Sequence, residues 1–292
     1  MDTFVLYFQQ NLLFFSLSVA TLGLLIGSFL NVVIYRLPIM LQRSWTHECL
    51  TFLDQKDPTP EETESFNLST PRSSCPSCKH SISALENIPL ISYIFLRGRC
   101  KGCKTRISIR YPIVELTTAI LSFLVAIEFG VSFQTLASLI FTWTLISLAL
   151  IDFDTQLLPD SITLPLLWSG LFFSLFHIHV APHQAIIGAL AGYLSLWSVY
   201  WLFKIITKKE GMGYGDFKLL AAIGAWLGWE MLPLVIMLSA FVGAIIGLSF
   251  IAIKGKDKSA PIPFGPFLSI AGFIALMWGD TINRTYLQFA GL

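Results

Sequence analysis

The chain has 292 residues, of which 54% are apolar and 13% charged, and its formal net charge is +1. A soluble domain carries about a quarter charged residues, and the mean hydropathy of +0.69 excludes that class. The near-neutral balance supplies no overall basic field, so nucleic acid is not expected as a partner.

Apolar runs long enough to cross a bilayer, about 20 residues each, fall at roughly 10–34, 112–129, 132–151, 161–180, 184–206, 216–230, 232–253 and 262–281. The runs around 112–151 and 216–253 are nearly continuous, which fixes the count to within one span. The expected fold class is an all-α polytopic membrane protein with about eight transmembrane helices and a small cytoplasmic insert between helices 1 and 2. Three parts follow: the first span at 1–34, the insert at 35–111, and a multi-helix membrane domain at 112–292. The first run is expected to be retained, since its flank holds Asp2 and no basic residue and its apolar stretch exceeds the core of a secretion signal.

Lys and Arg set the orientation. Eleven of the nineteen lie in 35–112; Lys204, Lys208, Lys209 and Lys218 flank the loop before Asp216, and Lys254, Lys256 and Lys258 occupy the next loop on that side. Only Arg284 is left for the opposite face, so the basic loops are expected to be cytoplasmic and the N-terminus outside. Gly-x-x-x-Gly recurs at Gly23/Gly27, Gly188/Gly192, Gly224/Gly228 and Gly243/Gly247, a spacing that lets helix backbones approach in lipid. These glycines are read as packing, not chemistry.

Within the insert, THECLTFLDQKDPTPEETESFNLSTP is acidic and rich in Pro, Thr and Ser, and reads as a mobile connector. Beyond it, Cys75-Pro-Ser-Cys78 and Cys100-Lys-Gly-Cys103 are separated by twenty-one residues. Two such knuckles suit one tetrahedral zinc ion held by Cys75, Cys78, Cys100 and Cys103, a structural site because no coordination position is left open. Disulfides do not suit a reducing cytoplasm, and the insert is too short for a thioredoxin-like redox domain. An iron–sulfur cluster is the remaining alternative, although nothing in the chain implies electron transfer. Cys49 is unpaired and reads as a small apolar residue.

Acidic groups at membrane depth are functional candidates. They are Glu115, Glu128, Asp152, Asp154, Asp160, Asp216, Glu230 and Asp280. Glu128, Glu230 and Asp280 fall at outer ends, where water is near. Glu115, just after Arg110-Tyr111-Pro112, suits a helix-start charge or an ion-pair partner. Asp160 suits a helix N-cap or first turn. Asp152 and Asp154 lie about 200° apart around a helix and cannot share a face; Asp152, the first charge after LISLALI, is the better candidate for the interior. Asp216 sits at the same cytoplasmic level behind GMGYG. Two carboxylates from separate helices would share a proton, giving one base and one acid, and Gly213 and Gly215 would let a substrate backbone approach. On these residues alone, an aspartate capping a helix after a glycine turn is an equal reading.

The chain resembles the bacterial type IV prepilin peptidases, bifunctional leader peptidase/N-methyltransferases among the GxGD aspartic proteases. The matching pieces, in order, are GSFLNVVIYRLP (27–38), the double C-x-x-C, ENIPLISY (86–93), RGRCKGC (97–103), RYPIVE (110–115), IDFDTQLLPD (151–160) and GYGDFKLLAAIGAWLG (213–228). Only 44–70 lacks a counterpart. The resemblance implies catalytic aspartates at Asp152 and Asp216, and a bacterial inner membrane location. It implies prepilin and type II secretion pseudopilin substrates cut after a glycine, and methylation of the new N-terminal residue, usually Phe, from S-adenosylmethionine. No glycine-rich nucleotide-binding turn is present, and no residue is assigned to the methyl donor. Rival classes are a proton-coupled transporter relaying through Asp152 and Asp216, and a non-catalytic anchor presenting a metal module. The first would require a matching interrupted helix in the other half, and the second leaves the aspartates unexplained.

Overall fold

The computed structural model describes residues 2–53, 66–83, 85–254 and 263–290. The described residues are mainly helical, with two isolated β-bridges, Ser74 to Ser81 and Arg99 to Arg106. The chain divides into two compact units, Met1–Val131 and Ser132–Leu292.

The first unit holds α1 (Asp2–Gln10), α2 (Leu12–Phe52), a 3-10 turn (Leu85–Asn87), α3 (Ile91–Phe95) and α4 (Arg110–Phe129). α2 and α4 lie against each other along the first Gly-x-x-x-Gly: a β-carbon at Gly23 would come 2.6 Å from Ser122 Oγ, and one at Gly27 would come 2.8 Å from Glu115 Cα. The glycines are packing residues, as expected. Leu17, Leu25 and Phe29 on α2 stay exposed, the surface a bilayer would cover.

The expected connector is corrected at both ends. α2 runs without a break through Phe52, so residues 46–52 are helical. Neither Gly nor Pro interrupts this stretch, and Thr46 and Thr51 return their hydroxyls to the carbonyls of Gln42 and His47, each at 2.8 Å. At the far end, Arg36 is 8% exposed and donates to the carbonyls of Asn67 and Pro71 at 2.8 and 2.6 Å. The Arg43 guanidinium lies 4.6 Å from the Phe66 ring. Residues 66–71 are thus tied to α2, while 54–65, the middle of that connector, lie outside the described residues.

The second unit holds α5 (Phe133–Thr155), α6 (Asp160–Ser174), α7 (Pro182–Thr207), α8 (Tyr214–Leu227), a 3-10 turn (Trp229–Met231), α9 (Leu232–Lys254) and α10 (Gly265–Ala290). α8 is its core, packed against α7, α6 and α10. Gly188 of α7 and Gly224 of α8 meet so closely that a β-carbon on either would run into the other's carbonyl. Trp226 fills the far end of α8, its Nε1 donating to the Leu166 carbonyl at 2.7 Å and its ring 5.1 Å from Phe141 and 5.3 Å from Phe173. The buried indole therefore keeps a partner for its only polar atom.

The eight expected spans all appear as helices. Among the described residues six stretches, namely α2, α4, α5, α7, Trp229–Ile246 and α10, are long and apolar enough to cross a bilayer. The 15-residue α6 and the 14-residue α8 are not; at 1.5 Å per residue they reach about 20 Å, short of the roughly 30 Å hydrocarbon core. Eleven of the fourteen residues of α8 are buried, so protein rather than lipid surrounds it. α8 still reads as an apolar run because a helix enclosed by other helices is as apolar as one facing lipid.

Candidate active site and metal centre

Asp152 sits in the last turn of α5 and is 5% exposed. α5 ends two turns past Leu148 when Gln156 enters the left-handed region (φ 55°) and donates its amide to the Asp152 carbonyl at 2.8 Å. The side chain is held from elsewhere: Oδ2 accepts the amide of Gly265 at 2.9 Å, at the first residue of α10. A β-carbon at Gly265 would lie 2.7 Å from that same oxygen. Glycine suits the position because any β-carbon would crowd the carboxylate that the amide holds. Asp154, by contrast, points to the exposed side of the helix, the separation expected from their angular offset.

Asp216 is the third residue of α8 and 6% exposed. The N-cap is Gly213, which has no side chain to cap with, so Asp216 is a first-turn acid rather than the cap itself. Asp216 lies within electrostatic reach of Asp152. Both carboxylates therefore meet helix N-termini, Asp152 that of α10 and Asp216 that of α8, where the positive end of the dipole supports negative charge. The GMGYG loop is braced from α7. Gly211 leaves room for the Phe203 ring, and Tyr214 packs 5.3 Å from Tyr200, whose hydroxyl accepts from Lys204 at 3.1 Å.

One expectation about this loop changes. The clearance at Gly215 is filled by the chain itself: a β-carbon there would come 2.6 Å from Leu158 Cβ. At Gly213 the nearest atom to such a carbon is Asp216 Oδ2 at 3.7 Å. Asp160 opens α6 in its first turn and pairs with Lys218 of α8 at 2.7 Å. Glu115 is not a surface charge; it is 8% exposed and accepts the amide of Leu90 at 2.9 Å, at a residue with φ 57°.

The four cysteines form the second cluster. Each C-x-x-C is one copy of the same turn. Cys75 N donates to His80 O and Lys79 N to Cys75 O, each at 2.9 Å; Cys100 N donates to Thr105 O at 2.8 Å and Lys104 N to Cys100 O at 3.0 Å. Both turns close with a lysine in the left-handed region, Lys79 at φ 58° and Lys104 at φ 60°. All four sulfurs lie within 4.8 Å of one another and none is in a disulfide. Cys75–Cys103 and Cys78–Cys100 are 3.8 and 3.9 Å apart, matching the edge of about 3.8 Å in a sulfur tetrahedron with 2.3 Å metal bonds. The donor set fits a metal ion. Hydrogen bonds from the Thr105 hydroxyl and amide lower the Cys103 thiol to about 6, toward the thiolate a metal needs.

Glu86 ties the two turns together. It accepts from Lys101 at 3.1 Å and meets His80 Nε2 at 3.2 Å, one residue from each copy. The Ser83 amide and then Lys101 hold its carboxyl down to about 2.

Sequence reasoning missed Gly265, Leu158 and the role of Glu86. For Gly265 a signal existed: PFGPF places a glycine between Phe and Pro at the mouth of the last span, where lipid makes no demand for it.

A model for the bacterial peptidase A24 N-terminal domain matches residues 21–129, and one for the type IV leader peptidase family matches 139–248. The prepilin leader peptidase/N-methyltransferase of Aeromonas salmonicida (strain A449) is 58% identical over 276 residues, 94% of each chain. The protein of that name from Stutzerimonas stutzeri is 54% identical over 286 residues, 98% of each chain. That of Legionella pneumophila is 47% identical over 278 residues, covering 94% of this chain and 96% of its own. No solved structure matches. With a relative 58% identical along nearly its whole length and family models matching both halves, the chain belongs to the type IV leader peptidase family.

Proposed function

We propose that this protein removes the leader peptide from type IV prepilins and type II secretion pseudopilins, cutting after a glycine, with Asp152 and Asp216 as the catalytic pair. It then methylates the new N-terminal residue, usually Phe, with S-adenosylmethionine as donor. It works in the bacterial inner membrane with its N-terminus outside and its aspartates at the cytoplasmic face.

The observation that carries the hydrolytic half is the pair of carboxylates, 5% and 6% exposed, brought from α5 and α8 into electrostatic reach. The ionised member takes a proton from water as that water attacks the scissile carbonyl. The protonated member polarises the carbonyl oxygen and then helps protonate the leaving amine. The Gly265 amide fixes the Asp152 carboxylate in orientation, so the pair is set before substrate arrives.

Cys75, Cys78, Cys100 and Cys103 hold one structural zinc ion, which when bound supplies a cross-link between the two turns and no open coordination position. The insert is taken as 35–111, between a first span at 1–34 and a membrane domain at 112–292. The methyl donor is not assigned to residues. A cleft of about 430 Å³ is lined by Phe95, Leu96, Arg97, Arg99 and Lys104.

Co-expression with a prepilin, followed by mass measurement of the product, tests the reading. Wild type should yield a product shortened by the leader and one methyl heavier. Uncut precursor would overturn it.

A further inference from the structure

The loop between α5 and α6 carries a side chain that the mechanism above leaves idle. Leu158 follows the left-handed Gln156 and precedes Pro159, the buried N-cap of α6, whose carbonyl accepts the amides of Ile162 and Thr163, each at 3.0 Å. A residue before proline is confined to extended backbone, so Pro159 restricts the backbone of Leu158. Its half-buried isobutyl group enters two glycine notches at once. One is Gly215, immediately before Asp216, where a β-carbon would lie 2.6 Å from Leu158 Cβ. The other is Gly265, the donor to Asp152, where a β-carbon would lie 3.2 Å from Leu158 Cδ2 and 2.7 Å from Asp152 Oδ2. The Leu158 methyl and the Asp152 carboxylate therefore both crowd the α-carbon of Gly265.

We propose that Leu158 is the specificity-determining residue of the peptidase site, limiting the residue on the carbonyl side of the scissile bond to glycine. The inference rests on the function proposed above. To react, the scissile carbonyl must reach both carboxylates, which brings the α-carbon carrying that carbonyl beside Leu158. Any side chain on that carbon competes for the volume the isobutyl group occupies. The preference for glycine then comes from a wall, not from recognition of glycine itself.

The test uses the full chain in detergent with two prepilins, one natural and one with alanine replacing the glycine before the cut. kcat/KM is measured for wild type, Leu158→Ala and Leu158→Met, with Asp216→Asn as blank. Shape discrimination in an apolar pocket is worth roughly 10–200-fold per methylene, so Leu158→Ala should raise the alanine-to-glycine ratio by about tenfold or more. Leu158→Met, similar in volume, should leave that ratio near wild type. If Leu158→Ala lowered both substrates by one common factor, the residue would be packing only and the inference would fall. Should Leu158→Ala lose both activities by misfolding, Leu158→Val decides on the same ratio, and an unchanged ratio there overturns the inference. Wild type failing on the glycine substrate would instead overturn the proposed function.

Discussion

In the cysteine module all four clustered sulfurs come from residues 75–103, and two copies of one turn aim them. In the aspartate site one carboxylate comes from α5 and the other from α8, and the donor that orients Asp152 comes from α10. The first is built by hydrogen bonds between near neighbours in sequence, the second by the packing of a whole bundle. A change in the module should therefore stay local. A change at helix contacts far from Asp152 or Asp216 should still reach them.

The sharpest break is at the carboxylates. Asp152→Asn and Asp216→Asn keep size and hydrogen bonding but remove the shared proton, so each should lower prepilin cleavage by on the order of 10³-fold. Methylation of a peptide supplied already cut should survive, and Asp154→Asn and Asp160→Asn should retain most cleavage. Activity in both dyad variants would remove the aspartic-protease reading.

Next comes Gly265→Ala. The added methyl would sit 2.7 Å from Asp152 Oδ2, so either the carboxylate or the start of α10 must shift. A displacement of about 1 Å in a reacting group is worth up to about 10²-fold, and kcat for cleavage should fall by about 10- to 100-fold with the protein still folded. Wild-type kcat would show that α10 is not part of the site.

The third prediction concerns the metal. Purified protein should hold about one zinc per chain, and Cys75→Ser with Cys100→Ser should hold none. Cleavage should fall far less than in the dyad variants. Equal loss of cleavage would show that the two regions are not functionally separable.

The smallest effect is expected at Glu86. Its carboxyl is lowered from 4.5 to about 2 in the fold, so its ties stabilise the module above the unfolded value and are lost as pH falls through about 2. The melting-temperature difference between wild type and Glu86→Gln should be present above about pH 4.5 and shrink as the pH falls below it. A difference that grew as the pH fell below about 4.5 would reverse the assignment.

Much of this was legible in one dimension. Spans were visible because lipid leaves each helix to satisfy its own backbone, so twenty apolar residues identify themselves. The cysteine site was visible because its ligands obey short spacings that two tight turns require. Asp152 could be told from Asp154 because a helix turns 100° per residue, and their burial follows that angle. The family motifs added the catalytic roles expected of Asp152 and Asp216.

What the sequence alone determined was therefore whatever depends on neighbours along the chain: helices, turns, and which face of α5 is polar. Only the tertiary structure decided that α8 is a short buried core helix, that α2 runs on through Phe52, and that Arg36 ties down residues 66–71. It also decided that Gly215 makes room for Leu158, and that the Gly265 amide holds Asp152. Each of these is a contact between segments distant in sequence, and a backbone amide or a missing β-carbon leaves no composition or periodicity by which such a contact could be read beforehand.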